Sequence, residues 1–350
     1  MSSNSIYMER ALQLAKYGLG STAPNPMVGA VIVHDNCIIG EGYTSTYGGP
    51  HAEVNAINSV KDKGLLSEAI LYVTLEPCSH HGKTPPCTDL ILKYKIPKVI
   101  IGILDPHDKV AGKGVERLKN AGCKVVIGIL EKECRVHHKR FLTLHQKQRP
   151  YIILKWAQTK DGFIAPNQNE RGPNAQPFWI SNNYSRQLVH KWRSQEQAIL
   201  VGTKTVLDDN PKLNARQWLG KSPIRIIIDE NLRIKGSYHV MDQSVRTIIF
   251  TQVNDKSLWL TAIEYEVIDF SKNVPQQICE ALYKHSITSV LIEGGAKTLQ
   301  SFIDSKLWDE ARVITGQKSF GDGLGSPEFF GKLYHSVQVE TDVLNIYSND

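Results

Sequence analysis

The chain has 350 residues, 41% of them hydrophobic and 22% charged, which is the composition of a globular protein long enough for two cores. Its 41 basic and 35 acidic residues leave +6 with no dense Lys/Arg block, so neither a nucleic-acid groove nor a membrane patch is indicated. No run approaches a spanning length and Glu9 and Arg10 interrupt any signal-like start, so a cytoplasmic protein is expected; six widely spaced cysteines fit reduced thiols and metal binding better than a disulfide framework.

Periodicity predicts a helix over residues 5–17, stopped by Gly18 and Gly20, and then a hairpin in "MVGAVIVHDNCIIGEGY" turning at Asp35-Asn36. A helix opened by His51 follows. "AILYVTL" and "KVIIGIL" read as buried strands separated by a helix that starts near Pro85, and "GVERLKNAG" as a helix leading into the strand "CKVVIGIL". Strands alternating with helices imply an α/β sandwich. The basic, polar segment "EKECRVHHKRFLTLHQKQRP" is read as carrying a domain boundary between about 145 and 150, which gives domains 1–147 and 148–350. Beyond it, strands are expected at "YIILKWA", "AILVG", "IRIIID", "TIIFT", "EYEVIDF", "SVLIE", "ARVIT" and "VQVETDVLNIY", with helices near 183–193, 274–285 and 297–305. The second half is again α/β.

The chemistry concentrates in "HAEVNAI" and "EPCSHHGKTPPC". One histidine, His51, and two cysteines, Cys78 and Cys87, are three ligands of the kind a catalytic zinc takes when its fourth position is kept for water. Zinc deaminases carry H-x-E followed by P-C-x-x-C, with the unligated Glu as proton shuttle; here the second half is stretched to P-C-x8-C. Residues two apart on a helix do not share a face, so Glu53 is expected to point away from the ligand direction of His51 and to move protons. The bland alternative is a structural zinc knot, with His80 or His81 as fourth ligand.

"TAPNPMVGAVIV", "GGPHAEVNAI" and "LEPCSHHGKTPPCTDLI" resemble the bifunctional riboflavin-biosynthesis deaminase-reductase family, in which the eight residues between the cysteines are themselves a feature. "KWAQTKDG", "WISN", "AILVGTKTVLDDNPKLNAR" and "LIEGG" look like that family's reductase half, so the likeness covers nearly the whole chain. It implies a cytidine-deaminase-like α/β/α sandwich followed by a dihydrofolate-reductase-like α/β domain. It further implies that His51, Cys78 and Cys87 bind zinc, that Glu53 is the catalytic acid/base, and that Asn25, His80 and Lys83 contact the substrate. In the second half it implies that Gly295, Ala296, Lys297, Thr298, Leu299, Gln300 and Ser301 hold NADPH, bordered by Gln158, Trp179, Thr205 and Asp209, while Arg193, Leu213, Arg216 and Glu293 meet the substrate. A strand ending in Gly-Gly before a helix supports the first part of that assignment weakly, as a place for a pyrophosphate. The two arginines suit a fork for a ribose 5-phosphate. Thr44 stands where a histidine is expected of relatives, and Pro177 where a serine is.

The implied function is hydrolytic deamination of a small phosphoribosyl pyrimidine, 2,5-diamino-6-(5-phosphoribosylamino)pyrimidin-4(3H)-one, followed by NADPH-dependent reduction of the ribosyl group to ribityl. No nucleic acid or membrane partner is expected, and a homo-oligomer is. Two rivals are weighed against it. A nucleic-acid-editing zinc deaminase fused to a nucleotide-binding domain would need a basic, aromatic-lined surface for a flipped base. A non-catalytic zinc module would have no use for Glu53.

Overall fold

The computed structural model describes residues 3–80, 85–106, 112–167 and 176–349. The chain divides into two compact units, Met1–Gln148 and Arg149–Asp350. Among the described residues no helix is long and apolar enough to cross a membrane.

The first unit contains α1 (Ser3–Ala15), β1 (Gly29–His34), β2 (Cys37–Tyr43), α2 (Ala52–Ser59), β3 (Ile70–Leu75), α3 (Cys87–Lys93), β4 (Lys98–Ile103), α4 (Lys113–Asn120), β5 (Lys124–Ile127), α5 (Glu131–His137) and α6 (Lys139–Lys147). Its five-stranded sheet has the order β2-β1-β3-β4-β5. The hairpin turns at Asp35 and Asn36, both left-handed with φ of 47° and 61°, a conformation that short polar side chains tolerate. From β3 onward the strands run parallel, so the connections between them are helical crossovers. Apolar runs in β1, β3 and β4 are buried from end to end, Val31, Ile32, Leu71, Ile100 and Ile101 being fully so, as expected of strands covered on both faces.

The polar segment that leads up to the division between the units, in which no helix was expected, folds into α5 and α6. These helices bury Cys134, Phe141, Leu142 and Leu144 while keeping their basic residues on the other face, an amphipathic pattern that the polar composition hides.

The second unit contains β6 (Tyr151–Gln158), β7 (Phe163–Ala165), α7 (Asn183–Gln195), β8 (Ala198–Gly202), α8 (Thr203–Asp209), β9 (Ile224–Ile228), β10 (Thr247–Thr251), β11 (Glu264–Val267), α9 (Val274–Lys284), β12 (Ser289–Ile292), α10 (Ala296–Asp304), β13 (Glu310–Thr315), β14 (Leu324–Gly325), β15 (Lys332–Val339) and β16 (Asp342–Ser348). Its main sheet runs β11-β10-β9-β8-β12-β6-β13-β16-β15. Strands β6 and β8–β13 are parallel to their neighbours within that group, and the last two close it antiparallel. "VQVETDVLNIY", expected as one strand, is split between β15 and β16, with Glu340 at φ 55° in the turn. Polar caps start the helices: Asn182 accepts from the Ser185 amide at α7 and Asn273 from the Gln276 amide at α9, where Pro275 follows.

The consequence for function lies in the middle of this sheet. Strands β6, β12, β8 and β9 lie side by side and parallel, so their carboxyl ends open on one edge, which is where open α/β sheets bind ligands.

Candidate active sites

In the first unit His51 is the N-cap of α2 rather than a residue of its first turn, with extended backbone at φ −76° and ψ 166°. Cys87 is the first residue of α3, and Cys78 lies in the loop leaving β3. The sulfur of Cys78 is 3.6 Å and that of Cys87 3.3 Å from His51 Nδ1, and the Cys87 amide donates to the Cys78 sulfur at 3.3 Å. The three ligand atoms all lie within 4.8 Å of one another, and among the described residues no fourth His, Cys, Asp or Glu joins them. Such a trio supplies the three ligands of a zinc site that keeps one position open; of the two histidines considered as a fourth ligand, His80 does not join it and His81 lies outside the described residues.

The donor set is also electronically prepared. A hydrogen bond from Cys87 holds the Cys78 thiol far below the ordinary range, while Cys87 itself is raised. The hydrogen bond to Cys78 raises His51. Glu53 is 3% exposed, and burial, followed by the neighbouring Cys78 sulfur, pushes its carboxyl up to about 7. It stands outside the ligand trio, as its place in H-x-E suggests.

The remaining expectations for this site divide. His80 is exposed. Lys83 lies outside the described residues, as does His81. Asn25 follows a cis Ala23-Pro24 bond, with its amide donating to the Thr22 carbonyl. Thr44, where a histidine was expected, is buried and structural: its hydroxyl accepts from the Val28 amide at 3.0 Å, and its own amide donates to the Val28 carbonyl.

Sequence reading passed over Glu76, which precedes Pro77-Cys78. Its buried carboxylate accepts the amides of Asp105, Gly112 and Val115 at 3.2, 3.0 and 3.1 Å, tying the exit of β4 and the start of α4 to the strand that delivers Cys78. His138 also supports this face from the junction of α5 and α6, with Nε2 3.0 Å from the hydroxyl of Thr74 on β3.

In the second unit the carboxyl ends of β6, β12, β8 and β9 surround a cavity of about 900 Å³, within the range of small-molecule sites. Trp179, Thr205, Asp209, Leu213, Arg216, Arg193 and Glu293 all line it, together with Gly295, Ala296, Lys297, Thr298, Leu299 and Ser301. Two expected residues are not among the lining. Gln300 projects from the far side of α10 to Asp304 and the Glu328 backbone, because a helix cannot turn seven successive side chains to one face. Gln158 is engaged by Trp156 Nε1 at 2.8 Å.

The two glycines before α10 are set by packing. A Cβ on Gly294 would meet Val201 at 2.7 Å, and Gly295 sits at φ +56° with Thr205 Oγ1 3.2 Å from the position of a Cβ. Glycine is therefore required at both positions, by packing against β8 at Gly294 and by the left-handed backbone at Gly295, and the chain turns there into the start of α10, whose first amides are of the kind that receive phosphate oxygens.

The charges in this cavity were only partly foreseen. Arg193 is no open phosphate fork: Nε and Nη2 donate to the two oxygens of Glu293 at 2.8 and 2.7 Å, and Nη1 lies 3.3 Å from the Asn214 carbonyl. Lys155 lies 3.7 Å from the same carboxylate. Burial opposes ionisation of Glu293, but Arg193 and then Lys155 outweigh it and hold the group at about 2; burial lowers Lys155. His190, also missed, gives Nδ1 to the Asn214 carbonyl at 2.9 Å and is brought to about 4 by burial and then by Arg193 and Arg216. Among the described residues Arg216 hydrogen-bonds Asn214 Oδ1, at 3.1 Å, and it is less committed than Arg193.

Leu213 itself has φ 52°, a strained state for a leucine that costs roughly 1–3 kcal/mol. The neighbouring carbonyls are pinned from both sides. Lys212 receives Nε and Nη2 of the fully buried Arg225, and Asn214 receives His190 and Arg193. The signal that could have found Lys155 and His190 was present in "KWA" and "VHKWR", but only the strand order shows that they face Glu293 and the loop.

Comparison with known proteins agrees with both halves. Residues 1–103 match the family model described as the cytidine and deoxycytidylate deaminase zinc-binding region, and residues 150–345 match the RibD C-terminal domain. Riboflavin biosynthesis protein RibD of Aquifex aeolicus is 40% identical over 321 residues, covering 91% of this chain and 88% of that protein. The crystal structure of a diaminohydroxyphosphoribosylaminopyrimidine deaminase/5-amino-6-(5-phosphoribosylamino)uracil reductase from Thermotoga maritima superimposes with a TM-score of 0.88 at 38% identity, covering 99% of this chain and 98% of that one. Acinetobacter baumannii RibD gives a TM-score of 0.90 at 32% identity with the same coverage. A nucleic-acid-editing enzyme fused to a nucleotide-binding domain is thereby set aside: the chain belongs to the RibD family of riboflavin biosynthesis, bifunctional enzymes with a deaminase domain followed by a reductase domain.

Proposed function

We propose that the first unit deaminates 2,5-diamino-6-(5-phosphoribosylamino)pyrimidin-4(3H)-one by hydrolysis, and that the second reduces the ribosyl group of the resulting 5-amino-6-(5-phosphoribosylamino)uracil to ribityl with NADPH. The observation that carries the reading is the three-ligand trio with a buried carboxylate beside it and no fourth ligand among the described residues.

His51, Cys78 and Cys87 would hold zinc, which when bound supplies Lewis acidity that makes a water nucleophilic near neutral pH. Glu53 accepts a proton from the attacking water and returns it to the ring nitrogen; a second transfer makes the amine leave as ammonia. Its burial keeps that proton out of exchange with bulk solvent during the step. Asn25, His80 and Lys83 are the proposed contacts to the pyrimidine or its ribose phosphate.

In the second unit NADPH would supply the hydride, delivered to C1 of the opened ribosyl group. Gly295 and the following turn of α10 would hold its pyrophosphate, and Trp179, Thr205 and Asp209 would border its nicotinamide half. Arg216 takes the substrate phosphate. Arg193 acts by fixing Glu293, and Leu213 contributes to the wall of the cavity. The single test is a two-stage turnover assay: ammonia release from the diaminopyrimidine without NADPH, then NADPH oxidation that begins only once deaminated product is present. NADPH oxidation with the undeaminated substrate at an equal rate would reverse the proposed order.

A further inference from the structure

Helices α5 and α6 supply no metal ligand, no acid/base and no proposed substrate contact, yet their junction reaches the backbone that supports the deaminase site. Cys134 of α5 packs so closely on β4 that a Cβ at Gly102 would run into its sulfur. The His138 amide donates to the Cys134 carbonyl and the His138 carbonyl accepts the Leu142 amide, both at 2.9 Å. The two rings at the junction, His137 and His138, stand edge to face with centroids 4.8 Å apart. Packing against the sheet therefore sets where both rings point.

What the rings hold is the approach to β1. Asn25 sits between Pro24 and Pro26, neither of which has an amide to donate, so few backbone bonds can fix this loop. The Asn25 amide reaches the Thr22 carbonyl at 2.9 Å, and side chains do much of the rest. His137 Nε2 lies 2.7 Å from the Met27 carbonyl; a carbonyl only accepts, so the ring donates. Thr44 answers the Val28 amide at 3.0 Å. The Gly29 amide donates to the hydroxyl of Thr74 at 3.2 Å, the same hydroxyl that His138 Nε2 meets at 3.0 Å. Met27, Val28 and Gly29 are thus each held by a side chain, and the first and last of these holds trace to the α5–α6 junction.

We propose that His137 and His138 are positioning residues for deamination: they fix the backbone between Asn25 and β1 and so place the Asn25 side chain against the pyrimidine, an inference that rests on the deaminase reading above. His137 acts at the Met27 carbonyl, two residues from Asn25. His138 acts through Thr74 on β3, four residues before Cys78. A loop contact of this kind binds substrate and transition state alike, so its loss falls on KM, whereas the zinc ligands and Glu53 govern kcat. Helices α5 and α6 thereby belong to the deaminase site.

The test follows ammonia release by the full-length protein, with kcat and KM separated, in a cycle of His137→Ala, Asn25→Ala and the double variant. His137→Ala should raise KM for the diaminopyrimidine roughly three- to tenfold, the value of one hydrogen bond, with kcat within about twofold of wild type and zinc content unchanged. His137→Gln, whose amide can donate from near the place of ring Nε2, should restore most of the loss. Thr74→Val, which removes the hydroxyl that His138 meets, should show the same rise in KM alone. Because His137 acts through Asn25, the double variant should lose no more than Asn25→Ala by itself. Should His137→Ala fail to fold, His137→Leu fills the space without a donor and takes its place in the cycle. Additive losses, a fall in kcat with loss of zinc, or an unchanged KM in the His137 or Thr74 variant overturns the proposal while leaving the deaminase reading in place. An unchanged KM in Asn25→Ala removes the substrate contact on which the proposal rests, and no ammonia release by wild type overturns the deaminase reading itself.

Discussion

Glu53 and Glu293 are both buried carboxylates beside the groups proposed to react in their units, and their surroundings drive them in opposite directions. Glu53 is surrounded by burial and a sulfur anion and is lifted to about 7. Glu293 has Arg193 bonded to both oxygens and Lys155 close behind, and is held at about 2. One environment leaves a carboxyl able to take and return a proton; the other fixes a permanent anion that organises cations around it. On the proposed reading the same residue type is a carrier in one unit and a keystone in the other, and the difference lies in burial beside a sulfur in the first against two neighbouring cations in the second.

That contrast is most directly broken at Glu53. Glu53→Gln keeps the size of the side chain and leaves His51, Cys78 and Cys87 in place, so zinc content by elemental analysis should stay at the wild-type level. Deamination should nevertheless fall by roughly 10²- to 10⁴-fold, the value of a positioned proton-transfer group. Cys87→Ser should instead lose the metal together with the activity. In both variants NADPH oxidation with the deaminated intermediate should continue, and loss of metal from Glu53→Gln would show that the residue is a ligand after all.

Arg193 tests the other side. Arg193→Met leaves Glu293 buried with one cation at 3.7 Å, and breaking such a pair costs about 3–5 kcal/mol, to be read from denaturant unfolding of the C-terminal unit. Its pH dependence follows in sign. Because the folded-state pKa of Glu293 lies below the ordinary carboxylate value of 4.5, its stabilisation is present above pH 4.5 and is lost as the pH falls toward about 2. The variant should show a flatter acid limb in that window, and an unchanged limb would mean that Arg193 is not what holds the anion.

The smallest effect is expected at Arg216, whose donors are least committed. Arg216→Ala should weaken the phosphorylated substrate by about 1.5 to 3 kcal/mol with NADPH affinity nearly unchanged. Equal weakening of a dephosphorylated analogue would remove the phosphate role.

The two sites were also unequally legible in the sequence. His51, Glu53, Cys78 and Cys87 announce themselves because metal chemistry restricts residue type and because two short segments carry all four. In the second unit Arg193 reads as a free cation until its partner is known, and that partner is 100 residues away on a strand brought alongside by crossover. Lys155 and His190 have ordinary local contexts and acquire their roles only from strand order. Alternating apolar runs made the central strands easy to place. Helices α5 and α6 were hidden because their buried Phe141, Leu142 and Leu144 sit among lysines, histidines and glutamines, and a polar tract reads as a connection. The turn splitting β15 from β16 lacks a glycine, Glu340 taking the left-handed position instead.

Glu76 has a bearing on how such a domain can be altered. Three amides from two segments, the exit of β4 at Asp105 and the start of α4 at Gly112 and Val115, converge on its carboxylate, and each would cost about 1–3 kcal/mol if left buried and unanswered. Segments around Asp105, Gly112 and Val115 can therefore be exchanged with those of another deaminase only if the graft brings its own acceptor or keeps this one. For protein engineering, the strand end and these two segments are one inheritable cassette, and swapping any member alone should yield insoluble protein before it yields a new specificity.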